Sequence, residues 1–215
     1  MPRRRTLIFD FDGTLADTLP RLVAISNRLA AEYGYRTIAE ADIPMLRGKR
    51  SVEVLRWLRV PLIKIPAIAR RFKAELYREI DQVAPTLTIQ DSVGQLAAIY
   101  TLGIVTSNSV ANVQRFLQTH DWPYFTFVRA SAGLLGKSQV LKRLMRERKL
   151  VRAETLYIGD EVRDINAARA CGLDTVAVSW GANHAERLAQ AQPWALVHRP
   201  EELVQVITGN RGSRK

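Results

Sequence analysis

Two aspartates near the beginning of the chain have the type and spacing needed for acid–base, nucleophilic or metal chemistry. Asp10 and Asp12 stand two residues apart, where the apolar run at residues 7–9 ends shortly before Gly13. Two carboxylates this close repel each other and raise a pKa unless a cation lies between them. The pair therefore indicates either a bound Mg²⁺ ion or a shared proton. Because Asp-Gly is a common turn dipeptide, the alternative is that both acids only cap the next turn.

Ser107 and Asn108 form a second polar cluster, directly after the apolar run at residues 102–106. Their hydroxyl, amide and backbone N–H groups lie at the start of a predicted helix, and such a group of donors suits an anion such as phosphate. The same residue types are also favoured as ordinary helix caps. The sequence alone leaves both interpretations open.

Lys137 and the acidic pair Asp160 and Asp164 complete the candidate residues. Lys137 is predicted to open a helix, where a cation opposes the helix dipole; it would supply positive charge to an anion or be an ordinary solvated lysine. Asp160 follows the apolar run at residues 155–158 and would complete the ligand set of a hard cation, with Asp164 orienting that ligand or its waters. Acids at this position also cap a helix favourably, and the two interpretations are compatible.

The elements that must position these residues alternate between strand and helix. Strands are predicted over 6–9, 102–106, 125–128, 155–158 and 175–178, a short apolar run lies at 195–197, and helices are predicted over 92–100, 110–119, 138–148, 164–170 and 200–207. This alternation predicts an α/β fold, a Rossmann-like core in which a parallel sheet carries helices on both faces. Because the carboxyl ends of parallel strands share one edge, all four polar clusters are expected at that edge, where ligands bind.

The stretch between the first two strands shows helical spacing and no strand pattern. Helices are predicted over 19–34, 52–58 and 63–80, which is too much for one crossover helix. We therefore expect an all-helical cap at residues 17–84, inserted into a core formed by residues 1–16 and 85–215. Asp17 is interpreted as an N-cap residue at the first hinge. The basic loop at residues 46–50 would turn Arg47 toward a second anionic group of a ligand, or would simply be solvated.

Composition narrows the classes of protein. The chain has 215 residues, of which 47% are hydrophobic, so it can bury a core; its net charge of +11 would attract phosphorylated molecules. The basic residues show no nucleic-acid-reading motif, so a nucleic-acid partner is not expected. The single cysteine, Cys171, excludes an internal disulfide framework and is expected to be a buried thiol in a reducing cytoplasm. No apolar run reaches the roughly 20 residues of a membrane span. We expect a monomer or a homodimer.

In this order, the four clusters resemble the motifs of the haloacid dehalogenase-like hydrolase superfamily. The first motif, DxDGT followed by a hydrophobic residue and a further acid, is present at residues 10–17. Ser107 matches the second motif, Lys137 the third, and Asp160 with Asp164 the fourth, GDxxxD. The resemblance covers residues 6–203. Residues 178–181 and 199–203 are similar to the phosphoglycolate phosphatase-like branch.

The resemblance implies a magnesium-dependent phosphatase acting on a small phosphorylated metabolite, a phosphoglycolate-like phosphomonoester. Asp10 would be the nucleophile that forms an aspartyl-phosphate, and Asp12 the general acid and base. The other implied roles are phosphate binding by Ser107, Asn108 and Lys137, and Mg²⁺ binding by Asp10, the backbone carbonyl of Asp12 and Asp160, with Asp164 in support.

Two other functions remain open on the sequence. A phosphomutase of the β-phosphoglucomutase type uses the same core, although the cap shows no obvious pattern for it. A non-catalytic protein on this fold would bind nucleic acid or a protein partner, although the intact cluster of acids argues against that. Dehalogenases of the superfamily lack an aspartate at the position of Asp12, so its presence favours a phosphatase.

Overall fold

The computed structural model describes residues 5–49, 51–131 and 136–209, and within them the chain forms one parallel sheet. The strands are β1 (Thr6–Phe9), β2 (Thr101–Thr106), β3 (Phe125–Ala130), β4 (Thr155–Gly159), β5 (Asp174–Val178) and β6 (Ala195–Val197). Their order across the sheet is β3-β2-β1-β4-β5-β6. Chain order therefore reverses beside β1, and the crevice at such a switch point, next to the carboxyl end of β1, is where α/β sheets bind ligands.

The helical segment that follows β1 contains no strand in the described residues. Its helices are α1 (Leu19–Tyr33), α2 (Ile43–Arg47), α3 (Ser51–Trp57) and α4 (Ile65–Glu79), with short 3₁₀ turns at Glu40–Asp42, Leu62–Lys64 and Ile80–Gln82. α1 ends at Gly34, which adopts a left-handed conformation with φ of 74°. This conformation favours glycine and stops the helix.

The remaining helices cover both faces of the sheet, as predicted. They are α5 (Ile89–Ala97), α6 (Val110–Thr119), α7 (Lys137–Glu147), α8 (Val162–Arg169), α9 (Ala185–Gln190) and α10 (Pro200–Thr208). In β1, Leu7 and Phe9 pack in one apolar cluster with residues of α5, α6 and α10, whereas Ile8 packs in a second cluster with residues of α7 and α8. All three side chains are fully buried, as expected of a central parallel strand.

The two connections between the helical segment and the sheet lie side by side. The Asp17 N–H donates to the Ala84 carbonyl at 2.9 Å, and Ala16 and Pro85 form an antiparallel bridge. The prediction of Asp17 as the N-cap of α1 is wrong, because the cap residue is Thr18, whose side chain makes no capping hydrogen bond. The pairing with Ala84 fixes the backbone of Asp17 in the connection, so the helix begins after it.

Short elements account for most other differences from the predicted layout. α2 has 5 residues and α9 has 6, too few for helical periodicity to be recognised in a sequence.

Cys171 is buried as predicted, and its Sγ donates to the Ser138 carbonyl at 3.4 Å. In the described part of the chain, no helix combines the length and the apolar character that crossing a membrane requires.

Candidate active site

Three aspartates meet at the carboxyl edge of the sheet. Asp10 follows β1, Asp160 follows β4, and Asp164 lies in the first turn of α8. One carboxylate oxygen of each lies within 4.8 Å of the others, and all three residues are buried. Parallel strands that end at one edge thus bring together acids that are far apart in the sequence.

Lys137 is the cation in contact with this cluster. Its Nζ lies 2.9 Å from Asp10 Oδ2 and 2.5 Å from Asp164 Oδ1, and the residue is only 4% exposed. Burial by itself would lower the pKa of Lys137, but the charges of Asp10 and Asp164 raise it well above its ordinary value. Lys137 is the first residue of α7, where the helix dipole opposes a cation, and the two carboxylates offset that cost. It is therefore not a solvated lysine.

We expect Lys137→Met to lower the free energy of unfolding of the metal-free protein by about 3 kcal/mol near neutral pH, because it leaves buried carboxylates without their cation. The loss is expected to shrink as the pH falls, since protonation of Asp164 removes one of the unpaired charges. Urea unfolding at two pH values measures both effects. Lys142→Met, an exposed change on the same helix, is the control. Equal stability of the two variants would contradict the prediction.

Asp160 is held by contacts from two other segments. Its Oδ1 accepts a hydrogen bond from Thr14 Oγ1 at 2.9 Å, and its Oδ2 accepts one from the Ala182 N–H at 2.6 Å. Gly13 and Gly181 provide the space for this carboxylate, because a Cβ at either position would lie 2.4 or 2.2 Å from Oδ2. Gly13 also has a φ of 72°, a conformation that favours glycine.

The electrostatics of the aspartate cluster are those of a site that needs a cation. Burial, followed by neighbouring acids, raises the pKa of Asp160 well above its ordinary value. Burial likewise raises the pKa of Asp164 to about 7, against the opposing effect of Lys137. Asp10 Oδ1 is buried and has no hydrogen-bond partner among the described residues. A buried, unpartnered oxygen among carboxylates that resist ionisation fits a hard divalent cation such as Mg²⁺.

Asp12 faces a different set of neighbours. Its Oδ1 accepts a hydrogen bond from Asn108 Nδ2 at 3.0 Å, and its carboxylate is not among the three that lie close enough to share an ion. Burial, together with the charge of Asp10, raises the pKa of Asp12 to about 6. A carboxyl group with such a pKa can give up or take a proton near neutral pH.

Ser107 and Asn108 follow β2, but they do not cap the next helix. The cap of α6 is Ser109, whose Oγ accepts a hydrogen bond from the Asn112 N–H at 3.1 Å. The buried Asn108 is instead turned toward Asp12, as described above. Ser107 Oγ accepts a hydrogen bond from Arg163 Nη2 at 3.3 Å. The helix-cap alternative therefore applies to Ser109 and not to the two residues singled out in the sequence.

Arg47 is the last residue of the short helix α2. The prediction of a loop at residues 46–50 is therefore wrong for residues 46 and 47, which are helical, and Arg50 lies outside the described residues. The guanidinium of Arg47 donates from Nη2 to the Ser179 carbonyl at 3.0 Å, and its buried Nε has no hydrogen-bond partner in residues 5–49, 51–131 and 136–209. Asn183 Nδ2 donates to the carbonyls of Arg47 and Lys49 at 3.0 and 3.3 Å. The end of α2 is thus bonded to the loop that follows β5.

Sequence reasoning did not assign a role to Arg163 or Asn183. Arg163 lies inside the GDxxxD segment, where its position between two acids was a usable signal. Asn183 carries no such signal, because it stands in a loop. Its importance comes only from the folded structure, where its N–H donates to the Asp160 carbonyl while its side chain bonds the end of α2.

Comparison with known proteins agrees with this geometry. The family model for haloacid dehalogenase-like hydrolases matches residues 7–178. A phosphoglycolate phosphatase from Synechococcus elongatus is 37% identical over 210 residues, covering 95% of this chain and 97% of that protein.

Solved structures share the fold. A haloacid dehalogenase-like family protein from Streptococcus pneumoniae superposes with a TM-score of 0.83 at 20% identity, covering 96% of this chain and 99% of that one. A Thermotoga maritima chain assigned as a β-phosphoglucomutase gives a TM-score of 0.68 at 20% identity, covering 95% of this chain and 99% of that one. At such identities the likeness concerns the fold alone.

The family match spans most of the chain, and it includes the strands that carry Asp10, Ser107 and Asp160 to one edge of the sheet. The phosphoglycolate phosphatase from Synechococcus elongatus is similar over nearly the full length of both proteins. This chain therefore belongs to the haloacid dehalogenase-like hydrolases, in their phosphoglycolate phosphatase-like branch, and is a phosphatase.

Proposed function

We propose that this phosphatase hydrolyses a small phosphorylated metabolite, a phosphoglycolate-like phosphomonoester, with Mg²⁺ and through an aspartyl-phosphate on Asp10. The observation that carries the proposal is the state of the Asp10 carboxylate. Lys137 holds Oδ2 at 2.9 Å, while Oδ1 is buried and accepts no hydrogen bond within the described part of the chain. The contact with Lys137 fixes the carboxylate, and an oxygen that makes no hydrogen bond has the free lone pairs that a nucleophile or a metal ligand needs. The name of the relative from Synechococcus elongatus supports the substrate class.

The two acids of the first motif divide the chemistry between them. Asp10 attacks phosphorus, and Asp12 gives its proton to the leaving alkoxide as the bond to phosphorus breaks. Asp12 then takes a proton from the water that attacks the aspartyl-phosphate, which releases inorganic phosphate and restores Asp10. The pKa of about 6 supports this role for Asp12, because both protonation states are accessible near neutral pH.

Asp10, Asp160 and the backbone carbonyl of Asp12 are the proposed Mg²⁺ ligands, with Asp164 in support. When bound, the ion would reduce the repulsion between the nucleophile and the phosphate and would stabilise the charge that develops on the phosphoryl oxygens. The raised pKa values of Asp160 and Asp164 support a cation at this position, because burial and the neighbouring acids disfavour the charged form of both carboxyl groups and a bound cation would favour it.

Ser107, Asn108 and Lys137 are the proposed phosphate ligands. Lys137 contributes a fixed positive charge next to the nucleophile, and the other two contribute a hydroxyl and an amide at the end of β2. Most of the rate acceleration in phosphoryl transfer comes from positioning and electrostatic stabilisation, which such groups provide. Asn108 has a second effect, because its amide also fixes the Asp12 carboxylate.

The helical segment is proposed as a cap domain at residues 17–84, on a core formed by residues 1–16 and 85–215. The neighbouring connections at Asp17 and Ala84 support this division, since they give the segment two adjacent hinges. Closure of such a cap would exclude water from the site. A cytoplasmic location and a monomer or homodimer remain predictions from the sequence.

Arg47 is the proposed contact for a second anionic group of the substrate. We expect Arg47→Ala to raise KM for 2-phosphoglycolate about tenfold while changing kcat less, because this contact would stabilise the bound substrate and the transition state alike. For phenyl phosphate, which has no second anionic group, KM should hardly change. Arg56→Ala, an exposed change in α3, is the control. Unchanged kinetics with both substrates would remove Arg47 from the site.

Phosphate release from a panel of phosphorylated metabolites, measured with Mg²⁺, tests the proposal as a whole. We expect turnover of small phosphomonoesters, with 2-phosphoglycolate among the preferred substrates. Interconversion of sugar phosphates without phosphate release would instead indicate a mutase. Release that persists unchanged in Asp10→Asn would be due to a contaminating enzyme and would contradict the proposal.

A further inference from the structure

A second, half-buried cation lies close to the proposed phosphate site. Arg163 lies near the beginning of α8, one residue before Asp164, and its side chain is only 27% exposed. A single nitrogen, Nη2, lies 2.6 Å from Glu161 Oε1 and 3.3 Å from Ser107 Oγ. Its two hydrogens can therefore be directed to two acceptors that come from different strand ends of the sheet.

The contact with Ser107 constrains a hydroxyl that would otherwise rotate. A serine hydroxyl has one proton and two lone pairs, and a guanidinium can only donate. When Oγ accepts from Arg163, the hydroxyl proton must point away from the guanidinium. The hydroxyl is then available as a donor to an anion, and the adjacent positive charge polarises it in the direction that strengthens this donation.

Glu161 gives the guanidinium its fixed position. The carboxylate at 2.6 Å pairs with Arg163 inside a partly buried region, where such a bond is stronger than in water. Without Glu161, the long Arg163 side chain could adopt other conformations and pair with other carboxylates nearby. The contacts of Arg163 with Glu161 and Ser107 thus connect the acidic segment after β4 to the polar segment after β2.

From this geometry we propose that Arg163 is a positioning residue that aims the Ser107 hydroxyl at the phosphoryl group. This inference rests on the proposed function and deepens it, because it identifies how the phosphate ligand at the end of β2 is held in its donating orientation. Arg163 acts through Ser107 and need not touch the substrate.

A double-mutant cycle separates action through Ser107 from every other role of Arg163. The variants are Arg163→Met, Ser107→Ala and the two combined, assayed with 2-phosphoglycolate and Mg²⁺, together with inhibition by inorganic phosphate. We expect Arg163→Met alone to lower kcat/KM about tenfold and to weaken phosphate inhibition by a similar factor. In the Ser107→Ala background, Arg163→Met should lower kcat/KM by less than about twofold, because the hydroxyl that Arg163 positions is absent.

Equal losses of kcat/KM in both backgrounds would overturn the inference, since Arg163 would then act on the substrate or on the fold directly. No loss of kcat/KM for Arg163→Met in the wild-type background would overturn it as well. If Arg163→Met does not fold, Arg163→Gln replaces it in the same cycle. Arg146→Met, an exposed change on α7, controls for the loss of one positive charge. An additive cycle in an enzyme that depends on Asp10 rejects only this inference, whereas activity independent of Asp10 rejects the proposed function and this inference together.

Discussion

Asp10→Asn is expected to lower kcat by at least about 10⁴-fold, as loss of a nucleophile does in other enzymes with covalent intermediates. The change keeps the size and shape of the side chain and removes only the nucleophilic charge. The amide oxygen of the asparagine can still accept the bond from Lys137, so the fold should be retained. Steady-state phosphate release, with circular dichroism to verify folding, measures the effect.

The matched control for this variant is the same Asp→Asn substitution at an exposed position of the proposed core domain. Asp91 is exposed in the first turn of α5, and Asp91→Asn should leave kcat unchanged. Trapping of radioactive phosphate on the wild-type protein after an acid quench, but not on Asp10→Asn, would identify the covalent intermediate. An Asp10→Asn protein that keeps more than about a tenth of the activity would exclude Asp10 as the nucleophile.

Removal of divalent metal is expected to have the second-largest effect. A bound metal ion contributes several kcal/mol to stabilising a transition state with developing charge, so chelation should lower kcat by about 10³-fold or more. Added Mg²⁺ should restore the activity. Asp160→Asn should weaken this restoration, because it takes away a carboxylate that is buried beside Asp10. Full activity in the presence of excess chelator would contradict the metal role.

Thermal unfolding provides a measure of metal binding at the same site that does not depend on activity. The stability of the metal-free protein is expected to depend on pH. The ordinary aspartate pKa is 3.8, whereas the pKa of Asp164 is about 7 and that of Asp160 is well above 3.8 in the folded protein. Between these values the folded state binds more protons than the unfolded state, so the metal-free protein loses stability as the pH rises. A divalent cation compensates this loss by replacing the protons.

Mg²⁺ at about 100 times its Kd should therefore stabilise the protein by about 2.7 kcal/mol, which raises Tm by about 5 to 10 °C. The increase should be larger at about pH 7.5 than at about pH 5.5, where protons compete for the same carboxylates. Asp91→Asn is again the control and should show the full increase. An equal increase in Asp160→Asn would mean that the ion binds elsewhere.

The sequence determined the sheet and the edge at which the acids meet. Residues 7–9 are apolar without alternation, as expected of a strand that is buried on both faces, and the structure has β1 there in the middle of the sheet. The alternation of strands and helices then leaves a parallel sheet as the ordinary solution. Because parallel strands end at one edge, the joint position of Asp10, Ser107 and Asp160 followed from local patterns alone.

Only the tertiary structure decided which of these groups contact one another. The bonds from Lys137 to Asp10 and Asp164 join α7 to two other elements, and a sequence does not encode such distances directly. The hydrogen bond from Asn108 to Asp12 could not be predicted from the sequence either. Such pairings depend on strand register and on the packing of helices against the sheet, which involve residues far apart in the chain.

The same reason explains the two corrections. Asp17 has a residue type that favours a helix cap, but its backbone pairs with Ala84, a residue more distant in the chain than any local rule considers. Arg47 was expected in a loop, but it ends a helix of 5 residues whose position is fixed by bonds to Ser179 and Asn183. Local preferences are worth about 1 kcal/mol, and tertiary contacts of comparable or larger energy override them.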